Sequence, residues 1–287
     1  MKLRLTKMHG AGNDFVVIDA TRGMPPVSLA PWRWLADRHV GVGADQILIV
    51  ERPTAEQVAA AGPEGLDFVY RIINADGIEV EQCGNGARCF GKYLRDHSLH
   101  PLDRPLRVAI KRGSITIAYV GTDSDGSEQY RVDMGEPDFT PFTPAQTERL
   151  YQPVSAAGET LEMGIVSMGN PHAVCVVDDV ATAPVAAVGA ALQQHPLFPA
   201  AVNAGFMQIR DRRHIRLRVY ERGAGETQAC GTGACAAVAV GIMRGLLDRE
   251  VQVELPRGSL TIQWQGTGQP LYMTGPAATV YHGELAG

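Results

Sequence analysis

The 287-residue chain contains no C-x-x-C pair, so a four-cysteine zinc site has no support in its spacing. Its five cysteines, Cys83, Cys89, Cys175, Cys230 and Cys235, are an odd number. The first residues carry Lys and Arg with no apolar stretch of signal-peptide length behind them. Odd count and missing leader together argue against a disulfide framework and for reduced thiols in the cytoplasm. No block of Lys and Arg occurs and the net charge is −5. That excludes the concentrated cationic surface that binds phosphate backbones, so nucleic acid is not an expected partner. The longest apolar run, Ala229 to Met243, is 15 residues, short of the about 20 that span a bilayer. No membrane partner is expected.

What the chain does have is 45% hydrophobic and 20% charged residues, the balance of a globular protein. The length suits two domains of roughly 100–200 residues each. An internal duplication supports that number. Arg71 precedes Cys83 by 12 residues, and Arg218 precedes Cys230 by 12. Asn74 and Glu221 each stand 9 residues before their cysteine, and Gly-x-Gly-Ala follows both. "HGAGNDFVVID" from His9 resembles "VSMGNPHAVCVVD" from Val166, and "RGSITIAY" from Arg112 resembles "RGSLTIQW" from Arg257. Three matched segments in one order, with a period near 147 residues, mark a duplicated domain rather than a solenoid.

Short β-branched runs between turn residues predict strands in both halves, mostly antiparallel. Gly231 to Met243 has a single polar side chain, Thr232, and a helix apolar all round is buried on every side. Its counterpart, Ala87 to His97, is more amphipathic and polar at its far end. The expected fold is α/β (α+β): two pseudo-symmetric domains, each a mostly antiparallel sheet curled around a central helix. The expected boundaries are 1–135 with 276–287 for the domain of Cys83, and 136–275 for that of Cys230. The Pro-rich stretch from Glu136 to Pro144 is the first crossing.

A cysteine at a helix start is favoured as thiolate by the helix dipole and the unpaired amides. Gly84, Gly86, Gly231 and Gly233 let such amides approach a ligand. A thiolate and a thiol on opposite sides of one carbon would remove a proton from one face and deliver one to the other. Helix amides holding the adjacent carboxylate would stabilise the carbanion, with no cofactor. A lone cysteine is more often a core residue, and Cys89, Cys175 and Cys235 keep that reading. For Cys83 and Cys230 the duplicated context reverses it. Asn13 and Asn170 sit in matched Gly-Asn motifs, equally suited to turns and to ligand binding. Glu221 and Arg222 fit a surface pair or an amine-and-carboxylate reader. His172 fits a strand-edge histidine or a tuner of thiol charge. Spacing alone says little of Gln46, Asn74 and Asn203.

Taken together, "HGAGNDF", "GADQ", "NADGIEVEQCGNGARC", "MGNPHAV", "NAGFMQI" and "ERGAGETQACGTGACA" resemble the diaminopimelate epimerase family over nearly the whole length. Ile78 departs from the serine common there. The resemblance implies interconversion of LL- and meso-diaminopimelate without pyridoxal phosphate or metal, in lysine and peptidoglycan precursor synthesis, often by a homodimer. It implies Cys83 and Cys230 as the acid/base pair. Asn13, Gln46, Asn74, Asn170, Asn203, Glu221 and Arg222 would contact substrate. Gly84, Asn85, Gly231 and Thr232 would hold the α-carboxylate, and His172 and Glu221 would assist the thiols. A proline-type racemase of the same fold, and a non-catalytic binding protein with redox-sensing or metal-binding thiols, are the competing readings; the distal Asn and Arg set discriminates against the first, and oxidation and metal content test the second.

Overall fold

The computed structural model describes residues 2–23, 31–80, 83–101, 103–111, 113–140 and 151–286. Glu81, Gln82, Arg112 and the end of the Pro-rich stretch beyond residue 140 lie outside the described residues. In chain order the first run of elements is β1 (Lys2–Gly10), β2 (Asn13–Asp19), α1 (Trp32–Ala36), β3 (Gln46–Glu51), α2 (Ala55–Ala60), β4 (Phe68–Asn74), β5 (Glu79–Val80), α3 (Gly84–Asp96), β6 (Leu106–Ala109), β7 (Ser114–Thr122) and β8 (Glu128–Asp133). The second is β9 (Tyr151–Ala156), β10 (Glu159–Ser167), β11 (Pro171–Val176), α4 (Val185–Leu192), β12 (Asn203–Asp211), β13 (His214–Glu221), β14 (Gly225–Thr227), α5 (Gly231–Met243), β15 (Glu250–Leu255), β16 (Gly258–Trp264) and β17 (Leu271–Pro276), and the chain closes with β18 (Ala278–Ala286). Two compact units result, Met1–Asp133 with Gly275–Gly287, and Met134–Thr274.

The same ladder is built in each unit. In the first, β2 pairs parallel with β3, β3 antiparallel with β4, β4 antiparallel with β5 and parallel with β6, and β6 antiparallel with β7. In the second, β11 pairs parallel with β12, β12 antiparallel with β13, β13 antiparallel with β14 and parallel with β15, and β15 antiparallel with β16. The order and the directions repeat, so the duplication seen in the sequence is a duplication of topology.

Each sheet curls around one helix. α5 packs on β10, β11, β12, β13 and β16 of its unit, and α3 on β1, β2, β3, β7, β8 and β18 of its own. Small residues set the closeness of the fit. A Cβ on Gly91 would lie 2.8 Å from Ile117 Cγ2, and one on Gly86 would lie 2.2 Å from Tyr70 Oη. α3 starts at Gly84, one turn before the expected Ala87, because Cys83 caps it. Its polar far end is as expected: Lys92 and Arg95 pair with Glu128, and Lys92 also with Asp96. Arg88 is a departure, an arginine with no exposed surface in the middle of the helix, donating from Nε to Pro276 O at 3.1 Å.

Three short helices had no anticipating pattern. α2 is nucleated by a capping box between Thr54 and Gln57. α4 packs on β12 and β13, with Gly189 against the Tyr220 ring. Among the described residues, no helix is long and apolar enough to cross a membrane.

Candidate active site

The site residues of the first unit come from three adjacent strand ends and one helix start. Asn13 opens β2, Gln46 opens β3 and Asn74 closes β4, while Cys83 is the N-cap of α3. The parallel register sets Phe15 beside Gln46, and the antiparallel one sets Gln46 beside Asn74. All three polar residues therefore sit at one end of the sheet. Gln46 Nε2 donates to Asn74 Oδ1 at 2.8 Å. Cys83 Sγ accepts from the Gly86 amide at 3.4 Å, and the Cys83 carbonyl accepts from Ala87 N at 2.9 Å and from Tyr70 Oη at 3.2 Å. The first amides of a helix have no intrahelical acceptor, so Gly84 and Asn85 present theirs out of the helix end.

The second unit repeats this with different side chains. Asn170 precedes β11, Asn203 opens β12, Glu221 closes β13, and Cys230 is the N-cap of α5. His172 is registered beside Asn203. Cys230 Sγ accepts from Gly233 N at 3.3 Å and lies 3.6 Å from Thr232 Oγ1. Matching the ladders pairs Asn13 with Asn170, Gln46 with Asn203, Asn74 with Glu221 and Phe15 with His172. Gln46 and Asn203 stand at the same spacing from their Gly-Asn motifs, because the β2–β3 and β11–β12 connections are equal in length, and the strand register places them at equivalent sheet positions.

The two half-sites differ in electrostatics. Cys230 is 4% exposed, whereas Cys83 is partly exposed. Burial pushes the Cys230 thiol well above the usual range, and the Glu221 carboxylate adds to this. Hydrogen bonds from Thr232 and Gly233 N–H pull the other way and do not prevail. The expectation that a helix start favours thiolate is therefore overridden at Cys230 by burial and a carboxylate. Glu221 is held in turn by the Thr227 hydroxyl. His172 has no exposed surface; burial, with the charge of Arg222 added, pushes it down to about 3, so the ring is neutral. Cys89 and Cys175 are pushed up to about 12 by burial, as core thiols are.

Asn203 has a fastening job. Its Nδ2 donates to Pro171 O at 2.9 Å and its Oδ1 accepts from the Arg222 amide at 2.9 Å. The amide so ties β11 to the turn that carries Arg222. The Arg222 guanidinium reaches Ala200 O at 3.4 Å and is otherwise at the surface. Two residues that the sequence did not single out belong here. Tyr70 is fully buried beneath the Cys83 carbonyl, and Asp45 accepts from Asn13 Nδ2 at 2.7 Å. The "GADQ" motif was the only signal of Asp45.

The family model described as diaminopimelate epimerase matches residues 5–140 and 164–280. A diaminopimelate epimerase of Azoarcus sp. is 55% identical over 290 residues, 99% of each chain. One of Cupriavidus taiwanensis is 52% identical, covering 99% of this chain and 98% of that one. The chain belongs to the diaminopimelate epimerase family. Among solved structures, a hydroxyproline epimerase of Agrobacterium vitis shares the fold at a TM-score of 0.71 and 14% identity, covering 99% and 92% of the chains. A phenazine biosynthesis protein of Bacillus anthracis does so at 0.68 and 16%, covering 100% and 99%. A mixed α/β fold made of two like halves is thus common to this epimerase family and to distant relatives, while the sequence likeness singles out the diaminopimelate branch.

Proposed function

We propose that this chain interconverts LL-2,6-diaminopimelate and meso-diaminopimelate using Cys83 and Cys230 as a thiolate/thiol pair, with no cofactor. The observation that carries the reading is the repeated placement of a cysteine as N-cap of a buried helix, beside three polar strand ends, in a member of this family. In one direction the thiolate takes the α-proton, and the C–H electron pair stays on carbon as a carbanion. The other thiol then delivers its proton to the opposite face and becomes the thiolate. The net charge on the pair is unchanged. The amides of Gly84, Asn85, Gly231 and Thr232 suit the α-carboxylate next to the reacting carbon.

Asn13, Gln46, Asn74, Asn170, Glu221 and Arg222 are the proposed readers of the substrate, and Asn203 acts on it through the turn that carries Arg222. Arg222 suits the far carboxylate by its forked donors. His172 and Glu221 support Cys230. The two units, Met1–Asp133 with Gly275–Gly287 and Met134–Thr274, are the proposed functional domains. The reaction belongs to lysine and peptidoglycan precursor synthesis in the cytoplasm. A homodimer is the proposed assembly; Val280 and Tyr281 on β18 are 56% and 44% exposed, which favours coverage by a second copy.

Incubation with LL-diaminopimelate in heavy water should yield meso product carrying deuterium at one α-carbon. Replacement of Cys83 or Cys230 by Ala should abolish racemising turnover; unchanged turnover in either variant rejects the two-thiol assignment.

A further inference from the structure

Asn13 is held at both ends of its amide. Its Nδ2 lies 2.7 Å from Asp45 Oδ2, and its Oδ1 accepts from Asn85 Nδ2 at 3.4 Å and lies 3.7 Å from Cys83 Sγ. An ionised carboxylate can only accept, so the NH₂ end of Asn13 must be the one that faces Asp45. Turning the amide over would set an amide oxygen against a carboxylate oxygen. The carbonyl end is therefore committed to the cysteine.

Asp45 is itself fixed. Asp14 N donates to Asp45 Oδ2 at 3.1 Å and Asp45 N donates to Asp14 Oδ1 at 3.1 Å, a reciprocal pair across the start of β2 and β3. Arg38 Nη2 bridges the two carboxylates, 2.5 Å from Asp14 Oδ1 and 2.7 Å from Asp45 Oδ1. Lys7 Nζ reaches Asp14 Oδ2 at 2.5 Å and also the Gly43 carbonyl. Burial raises Asp14, yet the Arg38 and Lys7 contacts outweigh it and hold the carboxyl well below the usual range. Asp14 is therefore anionic at neutral pH.

In the second unit the matched asparagine is turned the other way. Asn170 Oδ1 faces His172 Nε2 at 3.0 Å, and its Nδ2 donates to Thr232 Oγ1 at 3.4 Å, on the side of Cys230. Where one unit uses an acceptor to hold its asparagine, the other uses an imidazole. The two helix starts thus meet opposite ends of equivalent amides, Asn13 Oδ1 at Asn85 and Asn170 Nδ2 at Thr232.

We propose that Asp45 is a positioning residue that fixes the polarity of the Asn13 amide, so that the first half-site offers Cys83 and its ligand a hydrogen-bond acceptor and not a donor. This rests on the reading of Asn13 and Cys83 as site residues. An acceptor there suits a thiol S–H or a substrate ammonium and rejects a carboxylate. Once Asp45 no longer holds it, the amide can turn its NH₂ to the sulfur and stabilise the thiolate, with the Asn85 side-chain amide turning in step to offer its oxygen in place of its NH₂. Among the described residues, the Tyr70 hydroxyl beneath the Cys83 carbonyl and the Cys89 thiol on α3 also face Cys83.

The test follows alkylation of Cys83 and Cys230 separately by iodoacetamide, with peptide mass spectrometry across pH, on the full chain without substrate. Asp45→Ala should speed Cys83 alkylation at neutral pH about tenfold, lowering its midpoint by about one pH unit, and leave Cys230 unchanged. Asp45→Asn, which keeps an acceptor for Asn13, should stay within about twofold of the parent. Arg38→Ala, which removes the ion pair but not the Asn13 contact, should do the same. In an Asn13→Ala background, Asp45→Ala should add nothing. An unmoved Cys83 in Asp45→Ala, or an equal acceleration in the Asn13→Ala background, overturns the proposal. Independently of any variant's folding, the Asn13 side-chain NH₂ of the parent protein should give no strong nuclear Overhauser contact to the Cys83 Hβ protons; a strong one also overturns it. Because no substrate is used, failure here is separable from failure to turn over diaminopimelate.

Discussion

His172 Nε2 donates to Asn170 Oδ1 at 3.0 Å from a ring with no exposed surface, and His172 Nδ1 has no hydrogen-bond partner among the described residues. A bare ring nitrogen costs less than an orphaned N–H, which fixes the tautomer with the proton on Nε2. The matched position in the first unit is Phe15, likewise fully buried. The site has thus placed an imidazole where the duplicate keeps a hydrocarbon ring. Protonation is held off down to about 3 in the fold, against 6.5 without it. Between those values the unfolded chain binds a proton that the native one refuses. Stability therefore falls as pH drops below about 6.5, by roughly 1.4 kcal/mol per pH unit from this group, and is unaffected above it. Urea unfolding at pH 7.5 and 5.5 should show this loss in the parent. His172→Phe should lack it, and an equal loss in the variant would refute the assignment.

Glu221 and Cys230 make a second pH-linked pair. Burial is the larger cause of the raised thiol, and the carboxylate the next. Glu221→Gln removes the second only. Cys230 should then react with iodoacetamide several-fold faster at pH 8, while remaining slower than an exposed thiol. Cys83 serves as the internal control. No acceleration, or a slower reaction, would show that the carboxylate does not act on this sulfur.

Gly86 tests the fit of α3 against its sheet. An added Cβ would lie 2.2 Å from Tyr70 Oη, the same hydroxyl that donates to the Cys83 carbonyl. Gly86→Ala should destabilise the protein by about 2 kcal/mol and loosen the cap on which Cys83 sits. Tyr70→Phe takes away the oxygen that clashes, so the two substitutions should be non-additive, the second reducing the cost of the first. Additive costs in thermal unfolding would place the strain elsewhere. Gly233→Ala should be milder, because the methyl it meets, Val219 Cγ2, is 2.9 Å away.

The sequence carried the larger features because they are written in periodicities. The all-apolar run from Gly231 gave its helix the right ends, and the two Cys-Gly-x-Gly segments gave both helix starts their common setting. What could not be read depends on register. Gln46 comes to lie beside Asn74, and Asn203 next to Glu221, only through the antiparallel pairing of β3 with β4 and of β12 with β13, across connections of unlike length. Arg88 illustrates the opposite difficulty: a charged residue in a helix reads as a solvated face, and only the packing of α3 shows it buried against the Pro276 carbonyl. The balance at Cys230 was equally hidden, since the helix start and the nearby carboxylate act with opposite sign and burial decides between them.

Asn203 separates fastening from recognition. Its NH₂ end is bound to Pro171 O and its oxygen to the Arg222 amide, in a side chain 3% exposed. Asn203→Asp keeps the acceptor for Arg222 but turns a carboxylate oxygen toward the Pro171 carbonyl. That leaves two acceptors facing each other out of water, at a cost of about 1–3 kcal/mol. Asn203→Ala loses both contacts and releases the turn that carries Arg222. The aspartate variant should therefore lose stability while largely retaining KM for diaminopimelate. The alanine variant should lose stability and raise KM several-fold as well. Thermal unfolding and steady-state kinetics on both variants decide it; a KM raised as far in Asn203→Asp as in Asn203→Ala would mean that the Asn203 NH₂ group reads the substrate directly.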